Sequence, residues 1–398
     1  MADTDTEAKK SVRNAWLPFE ILGEIFHYMV CVDGPLSLRH VIFVSKLWYT
    51  ASVQHPQLWT RIFLDSPFFT YFKDIPISTT CAFLEQCLDR SSSLPLHLRL
   101  GCDDLEHFHP SPDSTLDLSV EQPIDRFLYL LEVMTQSDGE HIKRCESLIW
   151  RCEFEYDLET HVLDIFPPQL PLLRSLSVSK FEFEFDSDFP HCPSLVEVEL
   201  SDHHEKHCFF SNQDFARVKS LSFNNNGLWM GYDILCIARF TSLEVLVLSN
   251  GVGGDPEYNQ TSFHADEPLQ IPLLHTLTVR GAIPKDILLQ LVAPSLLELH
   301  IEDDKKGRAS IADLHTLVPP SCHQIYARLS PMVEGGNSEW YWDLGTLLKK
   351  FPQVKFLYIS KWMQEEIEEV FRNSIVELSG YGELVEVHIV DSRASHAT

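Results

Sequence analysis

Basic side chains are scarce in this 398-residue chain: 31 Lys and Arg stand against 58 Asp and Glu, a formal charge of −27. A surface that negative repels phosphate backbones, so nucleic acid is not an expected partner. Long apolar runs are missing as well. No stretch approaches 18 uninterrupted apolar residues, so nothing is expected to span a membrane. Met1 to Lys10 are polar and lack the apolar core of a secretory signal. The 10 cysteines show no paired spacing, which suits a reducing compartment better than a disulfide scaffold. Cytoplasm or nucleus is the expected location.

The signatures of catalysis are thin. Gly251-Val252-Gly253-Gly254 does not lead into a Lys-Ser/Thr helix, so it is not a phosphate loop. There is no Gly-x-Ser-x-Gly elbow and no kinase signature. His203-His204-x-x-His207-Cys208, with His191-Cys192 upstream, is the richest group of zinc-type ligands. No second pair completes a zinc spacing, so a solvated polar loop is the expectation, with no metal and no cofactor. Glu365-Glu366-x-Glu368-Glu369 reads as a solvated helix face. An enzyme with its site in the His203 loop or on the repeat surface described below stays open as a rival reading.

What is present is ordinary globular composition, 44% hydrophobic and 22% charged, enough for a sizeable core. The charge is unevenly placed. Residues 12–65 balance Arg13, Arg39, Lys46 and Arg61 against Glu20, Glu24, Asp33 and Asp65, so almost all the negative charge lies beyond Asp65. That shift marks a domain boundary near Asp65–Pro67.

In the neutral segment, Pro18 suits the first turn of a helix. Leu17, Ile21, Leu22, Ile25, Phe26 and Met29 recur at helical spacing, predicting one broad apolar stripe that ends at Gly34-Pro35. A second helical stripe is expected from Leu38, Val41, Ile42, Val44, Ser45 and Trp48. A short turn follows at Pro56 with Leu58 and Trp59. Three short helices cannot easily cover so much apolar area, and a face shared with another surface is expected.

Leu17-Pro18-x-Glu20-Ile21-Leu22, Val44-Ser45-Lys46-x-Trp48 and Pro56-x-Leu58-Trp59, in that order, resemble an F-box over roughly residues 14–63. The resemblance implies a three-helix module that docks on a Skp-type linker protein and, through it, a cullin scaffold of a ubiquitin ligase. Leu17, Pro18, Ile21, Leu22 and Ile25 would then face the linker, with Val44, Ser45 and Trp48 shared between interface and core. Ser45 stands where many members of the family have Cys, and Phe19 where many have Pro. The plainer alternative is that these residues only form the core of a small helical unit.

Helices are next expected at Thr80–Leu88 and Ile124–Met134. Beyond them a frame recurs: apolar, two variable, apolar, one variable, apolar. Strong copies are Leu173-x-x-Leu176-x-Val178, Leu195-x-x-Val198-x-Leu200, Val218-x-x-Leu221-x-Phe223, Leu243-x-x-Leu246-x-Leu248 and Leu274-x-x-Leu277-x-Val279. Others are Leu296-x-x-Leu299-x-Ile301, Cys322-x-x-Ile325-x-Ala327, Val354-x-x-Leu357-x-Ile359 and Leu384-x-x-Val387-x-Ile389, with weaker ones at Cys145-x-x-Leu148-x-Trp150 and Pro95-x-x-Leu98-x-Leu100. From residue 176 onward the step is 22 to 32 residues. Short helices are expected between copies, among them Ile234–Arg239, Asp286–Val292, Ile311–Leu317, Leu344–Lys350 and Glu365–Phe371.

The pattern resembles leucine-rich repeats. The expected fold class is α/β: an N-terminal three-helix F-box followed by a curved leucine-rich-repeat α/β solenoid. The expected domains are a disordered tail (1–11), the F-box (12–65), a helical linker with a first irregular repeat (66–140), the solenoid (141–392) and a disordered tail (393–398). A doubly wound sheet would need longer helices and a phosphate loop.

Side chains alternate along a strand, so the residues flanking the later apolar positions share the inner face of such a solenoid. There His300, Tyr326, Arg328, Phe356, Tyr358 and His388 gather aromatics beside polar groups, a composition typical of contact surfaces. They are the candidate residues for holding a substrate protein. The overall expectation is a non-catalytic adaptor that presents a substrate protein for ubiquitination. The alternative is a leucine-rich interaction scaffold without ligase coupling.

Overall fold

The computed structural model describes residues 17–101, 123–151, 165–179, 189–201, 215–225, 237–250, 268–280, 283, 288, 290–302, 319, 322, 324–328, 356–360 and 386–390. It mixes helices with parallel sheet, an α/β arrangement, and no closed barrel occurs among the described residues. The chain divides into two compact units, Met1–Glu146 and Ser147–Thr398.

The first unit opens with helix α1 (Phe19–Asp33). The helix begins behind Pro18, whose carbonyl accepts from the Leu22 N–H at 3.1 Å. It stops at Gly34, where φ is +71°, a region that an L side chain resists. The Phe63 ring also sits 3.0 Å from where a Cβ would stand on Gly34, so that position requires glycine twice over.

The second predicted helix is divided. Pro35–His40 form a 3-10 helix, residues 41–44 turn, and only then does α2 (Lys46–Gln54) begin. Ser45 is its N-cap: its hydroxyl accepts from the Trp48 N–H at 3.3 Å, satisfying a donor that a helix end leaves free. The expected turn at Pro56 is a 3-10 helix, Pro56–Trp59. Trp59 is buried, donates its indole N–H to the Ser52 carbonyl at 2.9 Å, and carries Arg90 over its ring.

Arg61–Leu64, included above in the helical module, is instead strand β1. Ile62 and Leu64 are buried and pair in parallel register with Leu98 and Leu100 of β2 (Leu96–Gly101). The crossover between the two strands is helices α3 (Ser66–Phe72) and α4 (Ile77–Arg90). Phe68, Phe69 and Phe72 of α3 are buried and meet Phe83 of α4 and Phe127 of α5 (Pro123–Gly139) ring against ring. Arg144, in the 3-10 turn Ile142–Arg144, donates to the carbonyls of Ser92 and Leu94 and to the Ser91 hydroxyl, tying down the end of α4.

The second unit takes in most of β3 (Cys145–Arg151), then β4 (Ser175–Ser179), β5 (Glu197–Ser201), β6 (Ser220–Asn225), β7 (Val245–Asn250), β8 (Leu269–Gln270) and β9 (Thr276–Arg280). β10 (Leu291–Val292), β11 (Glu298–Glu302), β12 (Gln324–Arg328), β13 (Phe356–Ser360) and β14 (Glu386–Val390) follow. All but β8 and β10 lie in one parallel sheet in chain order, without the reversal of strand order at which a doubly wound sheet forms its ligand crevice. Among the described residues β8 and β10 form a separate two-stranded pair. Leu291–Val292 is therefore strand where a helix end was expected.

The register explains the frame. Its middle positions align as Leu176, Val198, Leu221, Leu246, Leu277, Leu299 and Ile325, and its last positions run parallel to them. Those seven side chains are all buried. The first frame position turns the chain into the strand. Its amide bonds to the carbonyl three residues earlier, as in Leu195 to Cys192, Leu243 to Phe240 and Leu296 to Ala293. A repeated turn thus delivers each apolar pair to the same face, and each strand covers its neighbour's. The helices expected at Ile311–Leu317, Leu344–Lys350 and Glu365–Phe371, and both terminal tails, lie outside the described residues.

Candidate functional site: an exposed helix face and a sheet face

Helix α1 carries two apolar stripes, not one broad one. Leu22, Phe26 and Val30 lie on one side and are fully buried. Trp48 of α2 meets Phe26 edge to face at 5.4 Å, and His55 stacks on Phe19 at 4.6 Å. Gly23 lets His55 approach: a Cβ there would stand 2.9 Å from the imidazole.

The other stripe faces outward. Ile21, Ile25, Tyr28 and Val32 are 45%, 41%, 74% and 55% exposed, with Leu17 just ahead of the helix at 43%. At 100° per residue these four helical positions fall within one narrow sector. Glu20 and Glu24, both exposed, border it. In the same unit, Phe43 is 87% exposed and Val44 and Tyr49 are also exposed, on the turn before α2 and on α2 itself.

Of the residues expected to face a linker protein, Leu17, Pro18, Ile21, Ile25 and Val44 are exposed. Leu22 is not: it sits in the core beneath the helix. Ser45 and Trp48 are half-buried, one as a cap and the other against Phe26. Tyr28, Val32, Phe43 and Tyr49 were not anticipated. Tyr28 and Val32 continue the spacing of Ile21 and Ile25, so the signal was there. Phe43 lies in a turn, where periodicity says nothing.

In the second unit, the His300 and Tyr326 rings stack at 4.1 Å with 7° between their planes. His300 Nε2 lies 3.5 Å from a Glu298 carboxylate oxygen, and the Tyr326 hydroxyl donates to Gln324 Oε1 at 3.1 Å. Strand register carries the same rows onward: Tyr326 pairs with Tyr358 and Gln324 with Phe356, Tyr358 pairs with His388, and Arg328 pairs with Glu302. Further back along the face, the Ser177 hydroxyl donates to Glu199 at 2.9 Å.

His203, His204, His207 and Cys208, and the Gly251–Gly254 run, lie outside the described residues. Among the described residues no three His, Cys, Asp or Glu side chains are placed to hold a metal ion, and no helix is long and apolar enough to cross a membrane. No protein-family model matches the chain, and none of the curated proteins matches it.

Proposed function

We propose that the chain is a non-catalytic F-box adaptor with a leucine-rich-repeat solenoid. It docks on a Skp-type linker protein, and so on a cullin scaffold, and holds a substrate protein for ubiquitination in the cytoplasm or nucleus. The observation that carries this reading is the outward stripe of α1. A helix whose inner face is fully buried still offers Leu17, Ile21, Ile25, Tyr28 and Val32 to solvent. Scattered exposed apolar residues mean little, but a contiguous helical row of them is the form a helix-mediated protein contact takes. The stripe includes three of the residues that the F-box resemblance implies would face the linker, Leu17, Ile21 and Ile25.

The adaptor role asks only for shape and apolar area from the first unit. The second unit supports the rest through its in-register sheet, which offers rows of polar and aromatic side chains on one face. Holding a target beside a separate ligase centre accelerates transfer by proximity. Capture of a purified Skp-type linker protein by the full chain tests the reading. The wild type should retain the linker and Leu17→Asp should lose it. A scaffold without ligase coupling would capture nothing in either form.

A further inference from the structure

The face of the second unit's sheet has a charge pattern of its own. Three rows cross it, formed by the first, third and fifth residues of successive strands, the fifth-residue row holding Arg280, Glu302 and Arg328 along one margin. From β4 to β12 the first row reads Ser175, Glu197, Ser220, Val245, Thr276, Glu298, Gln324. The second reads Ser177, Glu199, Ser222, Val247, Thr278, His300, Tyr326. Neither of these first two rows holds a Lys or an Arg; Arg280 and Arg328 stand in the row of fifth residues. In the first two rows the acids occur at two places, Glu197 with Glu199 on β5 and Glu298 on β11. Both β5 carboxylates are exposed, and Glu298 is part-exposed beside the His300–Tyr326 stack. Between them lies a floor of small and β-branched side chains, Ser220, Ser222, Val245, Val247, Thr276 and Thr278.

We propose that this face binds an extended peptide segment of a substrate protein that carries two basic side chains about six residues apart, one set against Glu197 and Glu199, the other against Glu298. The spacing follows from the fold. β5 and β11 are separated by four strand steps. At about 4.8 Å per step the two acidic places lie roughly 19 Å apart. An extended chain rises about 3.3 Å per residue, so about six residues span the gap, and residues i and i+6 point to the same side. Low side chains between the acids leave room for the peptide backbone, and the part-exposed Ser220, Ser222 and Thr276 offer it hydroxyl hydrogen bonds, while Thr278 is buried. Two charge-assisted contacts at a fixed separation give selectivity that a diffuse negative surface does not. The inference rests on the adaptor reading only in calling the bound segment part of a substrate.

The test uses the full chain and capped synthetic peptides of about twelve residues in a Ser/Thr/Gln background, with binding read by fluorescence anisotropy. One peptide carries two lysines six apart, a second has them two apart, and a third has glutamate in both places. The six-apart peptide should bind at least about tenfold more tightly than the two-apart peptide, and the glutamate peptide should not bind. Glu197→Gln with Glu199→Gln, and separately Glu298→Gln, should each weaken the six-apart peptide about tenfold, with unchanged melting curves. Equal binding of both lysine spacings, or indifference to the glutamine variants, overturns the proposal. Linker capture run on the same samples keeps the two readings apart. Peptide selectivity without linker capture leaves this proposal standing and removes the adaptor role. Linker capture without peptide selectivity does the reverse.

Discussion

Ile25 and Leu22 lie three residues apart on α1, yet one faces solvent and the other the core, so substituting each should produce opposite phenotypes. Leu22 is fully buried. Leu22→Ala removes buried methyl groups and leaves a cavity, a loss of about 2–5 kcal/mol of folding stability. For a unit of this size that lowers the melting temperature by roughly 5–15 °C. Ile25 is 41% exposed. Ile25→Asp should change folding stability by no more than about 0.5 kcal/mol. Its effect falls on the interface. Seating Ile25 in a partner's apolar surface contributes on the order of 1 kcal/mol. Putting an unpaired carboxylate there instead costs about 2–3 kcal/mol more. Together these weaken the complex by roughly two to three orders of magnitude. Thermal melts of both variants, alongside titration with a Skp-type linker protein, measure the two effects separately. If Ile25→Asp melts as early as Leu22→Ala, or binds the linker as tightly as wild type, the outward stripe is not a docking surface and the reasoning fails.

Gly34→Ala should destabilise the first unit by at least about 1 kcal/mol, because φ is +71° and the new Cβ meets the Phe63 ring; the denaturant midpoint measures it. Burial, helped by nearby Arg61, holds the His97 pKa below its ordinary 6.5. The folded value lies below the unfolded one, so this contribution is complete above pH 6.5 and is lost as pH falls through the folded value. Unfolding midpoints should therefore drop on acidification below pH 6.5, and His97→Gln should flatten that slope. Burial pushes the thiols of Cys87 and Cys192 up to about 12 and that of Cys322 to about 11, so they carry almost no thiolate at pH 8. A thiol reagent followed by peptide mass mapping should leave all three unlabelled until denaturant is added. Rapid labelling of Cys87 in the native chain would contradict its burial.

Much of this architecture is written in short-range pattern. The recurring frame fixes side-chain direction, because apolar residues two apart on a strand must share a face. Every described strand from β3 onward that belongs to the large sheet coincides with a copy of it. The helical spacing of Leu22, Phe26 and Val30 likewise determines α1, and the proline at its start and glycine at its end determine its limits. Ser45 belongs to a sequence motif, but its hydroxyl also caps α2, a role that depends on the turn at 41–44 ending where it does.

Tertiary structure decided what periodicity cannot. α1 is apolar on two sides, and a helical pattern reports which residues share a side, not which side finds a partner. α2, the 3-10 turn at Pro56–Trp59 and His55 occupy the side of Leu22 and Phe26, leaving Ile21, Ile25, Tyr28 and Val32 outside. Arg61–Leu64 is too short to declare itself a strand and becomes one because β2 lies alongside, more than thirty residues later in the chain. Likewise Leu291–Val292 is extended through its pairing with Leu269–Gln270. The local sequence determined which residues could share a face; which faces were covered depended on pairings between distant segments, whose energy no window of neighbouring residues contains.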